Sequence, residues 1–149
     1  MSSRRREIAN SIVENLKKID GSISDFDSTY IYTRNLYSKV ERKIVFPNEI
    51  NDYPAVFIHP GTETRNYETS EFTTANLPIV IYLYVNEEDP VSAIEEISQD
   101  IEHVLYHLTY NPTLKIEDIN IESITTDEGL LAPFGVGLIT INVLYNLEA

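Results

Sequence analysis

The sequence predicts an α+β fold. It reads as a two-layer sandwich: a mainly antiparallel sheet of about four to five strands, two helices on one face, and extended loops or a hairpin arm. Two segments repeat apolar residues at helical spacing. The run "LPIVIYLYV" at 77–85 is apolar on both faces, as a central strand should be. The order along the chain is helix, strands, helix, strands, which favours helices gathered on one side of a sheet. No internal repeat, low-complexity tract or linker divides the 149 residues, so 1–149 reads as a single domain.

The first helix is expected over 3–19. Ile8, Ile12, Leu16 and Ile19 fall on one face, Ser2 or Ser3 can cap the start, and Asp20-Gly21 ends it. From 22 to 53 the pattern is weaker. Tyr30-Ile31-Tyr32 and Lys39 to Phe46 resemble strand pieces around a polar turn at Arg34-Asn35. In "NDYPAVFIHPGTE", 51–63, Pro54 presets the entry to an extended apolar run and Pro60-Gly61 forces a turn, giving a strand at 54–59. The strand at 77–85 follows.

The second helix is expected from Asp89 to about Thr109. Asp89 is placed as N-cap and Pro90 suits the first helical position. Ile94, Ile97, Ile101, Val104, Leu105 and Leu108 form one wide stripe, and Asn111-Pro112 stops the helix. Strands near 117–126 and 136–146 complete the chain, joined by a turn at Asp127 to Gly135.

Composition narrows the function. The formal net charge is -13, so the surface as a whole repels phosphate and groove binding of nucleic acid is disfavoured. There is no cysteine, which removes disulfides, thiol catalysis and thiolate metal sites. No run of about 18 apolar residues exists, so no membrane span is expected. Arg4-Arg5-Arg6 is not followed by an uninterrupted apolar segment and does not read as a secretory signal. This basic cluster stands apart from the acidic whole; it can pair with an acidic neighbour or be a solvated terminus.

The chain carries no catalytic signature. Its five glycines are not spaced as a phosphate loop or dinucleotide fingerprint, and no Gly-x-Ser-x-Gly elbow is present. His103 and His107 lie one helical turn apart, a spacing that can chelate a metal, with Glu96 and Asp100 nearby. The residue after His103 is valine, so the metalloprotease pattern fails. On a helical wheel both histidines fall off the apolar stripe, and an ordinary solvated face is the expectation. His59 beside Pro60 reads as a turn residue. Neither cofactor nor metal is expected.

Two polar stretches rich in aromatics remain. Residues 28–46 hold Tyr30, Tyr32 and Tyr37, and 61–77, "GTETRNYETSEFTTANL", holds Tyr67 and Phe72. Long irregular connections in compact domains are usually functional, and tyrosine brings contact area with a polar tip. These five residues are candidate interface residues; the alternative is that the rings fold back as a satellite core.

The chain resembles the tail terminator (tail completion) proteins of long-tailed bacteriophages, a lambda-terminator-like layout. The likeness runs through the amphipathic helix Ile8 to Ile19, "VERKIVFPNEINDYPAVFIHPGTE" at 40–63, the strand 79–85 with "NEEDP", the helix 90–109, and the closing "DEGLLAPFGVGLITINVLYNL". The resemblance implies a structural virion protein. It would form a hexameric ring on the head-proximal end of the tail tube, stop tube polymerisation and offer a surface to the head connector. Assembly would take place in the host cytoplasm, and DNA would pass an acidic lumen without specific binding. The alternatives are another head-tail joining protein, or a small metal-dependent enzyme using His103 and His107.

Overall fold

A computed structural model describes residues 4–43, 49–67, 72–111 and 114–148. The elements in chain order are α1 (Arg4–Leu16), β1 (Val40–Glu41), β2 (Ala55–Pro60), β3 (Thr64–Tyr67), β4 (Phe72–Asn86), α2 (Pro90–Leu108), β5 (Asp118–Thr126) and β6 (Phe134–Glu148). They form the α+β sandwich that the sequence predicts. The sheet has six strands in the order β1-β2-β4-β6-β5, with β3 paired to β4 beyond the end of β2. Among the described strands only β1 and β2 run parallel. β1 falls within the strand piece expected at 39–46, whereas β3 lies in the stretch 61–77, which was read as a long connection and shows no alternation of its own.

β4 and β6 are the spine. Each is 15 residues long, and they pair antiparallel from Phe72↔Glu148 to Asn86↔Phe134. Alternation then divides the two faces. Ala75, Leu77, Ile79, Ile81, Leu83 and Val85 of β4 point to the helices, together with Ile139, Ile141, Val143 and Tyr145 of β6. Ile8, Ile12 and Leu16 of α1 and the predicted stripe of α2 close the same core. The opposite face has a smaller cluster at one end, where Ile50 and Tyr53 pack on Ala55, Phe57 and Tyr84. Val80, Leu138, Thr140 and Asn142 lie half-buried along the rest of it.

Helix ends follow local chemistry. Asp89 caps α2, accepting from the Ser92 N–H at 3.3 Å, and Pro90 occupies the first turn. α1 ends at Leu16 rather than Ile19. Lys18 and Ile19 tighten into i→i−3 bonds and Gly21 turns the chain at φ +80°, yet Ile19 stays in the core. The expected caps Ser2 and Ser3 lie outside the described residues, as do residues 44–46 of the strand piece expected at 39–46. Gly135 and Gly137 face α2, where an added Cβ would stand 2.6 Å from Pro90 Cβ or Ile94 Cγ2. Their missing side chains let the start of α2 lie against β6. No described helix is long and apolar enough to cross a membrane.

Candidate functional site

Residues 22–36 form a strap laid across α2. Two isolated bridges, Asp20↔Asn35 and Ile23↔Ile31, fold it on itself. Asp100 anchors it. This carboxylate of α2 is fully buried beneath the strap and accepts from the Thr33 and Arg34 backbone N–H groups, the Thr33 hydroxyl and the Tyr30 hydroxyl. Arg34 then pairs with Glu87 at 2.6 Å and Glu96 at 2.8 Å. Burial, with the bond to Asp100, holds the Tyr30 phenol well above its ordinary range.

The expectation of a solvent-facing histidine pair is overturned. His103 stacks on Tyr30 with ring centroids 3.9 Å apart, and its Nε2 meets the Ser24 hydroxyl at 2.7 Å. His107 stacks on Phe26 at 5.5 Å. The helical wheel put both histidines off the stripe correctly, but the strap covers that flank, and a wheel contains no strap. Burial lowers the His103 pKa, and neighbouring His107 adds to the effect. Among the described residues no group of three or more His, Asp or Glu side chains is placed to share a metal ion.

The five interface candidates separate. Tyr32 is 2% exposed and belongs to the core, and Tyr30 packs against that core. These two rings take the satellite-core alternative. Tyr37 and Tyr67 stand out in solvent, 69% and 71% exposed. Phe72 opens β4, opposite Glu148.

Tyr67 belongs to an arm. β3 pairs with residues 73–76 of β4, and β6 pairs with them on the other side, so three strands run on past the end of β2. The arginine cluster fastens its base. Arg4 donates to the carbonyls of Leu114 and Lys115, both at 2.9 Å, lies over the Tyr145 ring and pairs with Glu7. Arg5 donates to the Gly61 carbonyl at 2.8 Å. Glu63 accepts from the Tyr145 hydroxyl and pairs with Arg65.

Two further surfaces escape motif reading. At the end of the sheet opposite the arm, Leu130 and Leu131 are exposed beside a groove lined by Tyr53, Tyr84, Phe134 and Val136. The sequence signal was two leucines inside a turn segment, which composition assigns to solvent. Along the flank of the sheet, Tyr106 of α2 and Tyr110 just beyond its end border a groove of about 300 Å³ with Ile119 and Ile121 of β5. Their i, i+4 spacing off the apolar stripe was the legible hint.

The geometry thus gives surfaces and a projecting arm. The model of one protein family, described as Bacteriophage Tail Tube Terminator Protein, matches residues 1–149. The chain belongs to the bacteriophage tail tube terminator family. It is 34% identical to the tail tube terminator protein p142 of Escherichia phage T5, over 95% of this chain and 92% of that protein. At that coverage the tail terminator kinship includes the strap, both helices and the arm. The terminator family is one of structural phage tail proteins, so its function is sought in these surfaces.

Proposed function

We propose that this chain caps the head-proximal end of a phage tail tube as a closed homo-oligomeric ring, most simply a hexamer. The cap ends tube polymerisation and presents its far side to the head connector. The observation that carries this reading is the family match over residues 1–149. The single fold unit 1–149 is then the repeating part of the ring, and the contact between copies is heterologous, closing on itself. The role is one of assembly without catalysis: His103 and His107 are engaged in holding the strap. A net charge of -13 keeps DNA from adhering as it passes through the opening.

Exposed Tyr37 and Tyr67, with Phe72 at the start of β4, are the contact residues this reading favours. The test is electron microscopy of the purified chain, alone and mixed with purified tail tubes. Closed rings, and rings seated on one end of each tube that halt its growth, are expected. Tubes that elongate unchanged in the presence of the protein overturn the proposal.

A further inference from the structure

Among the described residues, β5 and β3 both lie at the margins of the sheet, on opposite sides of the β4–β6 pair. On one side β5 pairs with β6, and among the described residues no strand pairs with its outer edge. It is nine residues long, contains neither lysine nor proline, and is exposed or half-exposed throughout. Lysine and proline are among the devices with which monomeric proteins blunt an edge of this length; β5 has a bulge at Glu122 in their place. On the other side β3 pairs only with β4 among the described strands, and its four residues are all exposed.

We infer that the outer edge of β5 in one copy pairs with the outer edge of β3 in the next, so that the sheets of neighbouring copies join into one. The inference rests on the ring proposed above and names the contact that builds it. Three features of the fold support a second copy as the occupant.

The first is direction. β3 is antiparallel to β4, β4 to β6 and β6 to β5, so β3 and β5 run opposite ways. A neighbour turned about an axis roughly along the strands therefore brings β3 to β5 as a regular antiparallel pair, with both helix layers on the same side. The two edges differ, so the contact is heterologous, as ring closure requires.

The second is the side-chain match. Tyr67 pairs opposite Thr73 on the helix-side face, and Ile119, Ile121 and Ile124 occupy the same face of β5. Ile121 and Ile124 are 38% and 39% exposed, and Tyr106 and Tyr110 stand beside Ile119 and Ile121. Joining the edges sets the otherwise solvated Tyr67 ring against this apolar row.

The third is stagger. β3 lies level with residues 73–76 of β4, whereas β5 lies level with 76–83 through β6. Pairing them shifts each copy along the strands, the shear that tilted strands need to close. The bulge at Glu122, between Ile121 and Ser123, adds local twist in the same strand.

The chain has no cysteine, so introduced thiols report cleanly. Asn66 and Ser123 both belong to the face away from the helices. Full-length Asn66→Cys and Ser123→Cys chains are made separately and also co-expressed, then treated with a short bis-maleimide. A covalent dimer is expected in the co-expressed sample and in neither single variant. Ile121→Ser and Tyr67→Ser should each weaken association by about tenfold or more in sedimentation, with melting of the protomer little changed. A Ser123→Cys dimer formed alone means two β5 edges meet, and overturns the inference. Closed oligomers that neither cross-link nor respond to these substitutions overturn the edge contact and leave the ring standing. A chain that stays monomeric both at high concentration and on tubes overturns both.

Discussion

Asp100 is the residue on which the strap depends. Replacing it with alanine leaves two backbone N–H groups and the Tyr30 hydroxyl without their acceptor, so Asp100→Ala should cost about 2 kcal/mol or more in urea unfolding. Asp100→Asn keeps one acceptor oxygen and should lose less. His103 gives a pH signature. Its lowered pKa means that the unfolded chain binds the proton more readily than the folded one. The stabilisation is complete above the ordinary value of 6.5 and is lost as pH falls through 6.5 toward the lowered value. Melting temperature should therefore decline between about pH 7 and about pH 5, and His103→Gln should flatten that decline. Asp20, Asp27 and Asp89 act lower on the scale. Bonds from Ser22, Thr29 and Ser92 hold them below 3.8, so their contribution disappears only below that value. None of the Asp100 network was legible in the sequence, because its partners lie 66 to 70 residues away and share no spacing.

At the scale of elements, the strong periodicities were readable and the borrowed structure was not. α2, its Asp89 cap and its apolar stripe match the sequence reading because each rests on local chemistry. β3 was missed because four exposed residues, TRNY, carry no alternation and are extended only through pairing with β4. The strap is similar: Ile23 and Ile31 form one bridge, and its stability comes from α2. Two predictions test the packing of α2. Ile101→Ala removes a fully buried side chain and should cost about 2–5 kcal/mol, more than His103→Ala, which loses a stacked ring and one hydrogen bond. Gly137→Ala should cost about 1–3 kcal/mol, since its Cβ meets Ile94 Cγ2 at 2.6 Å. Combined with Ile94→Ala, it should cost less than the two single changes added together, as a double-mutant cycle by denaturant titration will read.

For the whole molecule, the contacts proposed above lie at the exposed aromatics and at the outer edges of β3 and β5. Tyr67→Ala with Phe72→Ala should leave a folded protomer by circular dichroism yet weaken ring formation or tube capping, by about 2 kcal/mol or more of contact energy. In a phage carrying the pair, overlong tails without heads are the expected phenotype. An unfolded protomer would instead place these rings in the core, and normal tails would shift the contact to Tyr37. The exposure of the candidate residues was half legible. Tyr37 and Tyr67 stood out as aromatics in polar stretches, while Tyr30 and Tyr32 had the same sequence context and a different fate. Composition around a ring does not say whether another segment lies over it.

The β4–β6 pair has a mechanical consequence. Fifteen matched residues at about 3.4 Å each make a ladder roughly 50 Å long, spanning the sheet from the arm to the apolar end. Its hydrogen bonds lie across the strand direction. A pull that tends to slide one strand past the other therefore loads all of them in shear together, whereas a pull that peels the strands apart would break them one at a time. Tension carried lengthwise between the two ends of the molecule meets the first, stronger geometry.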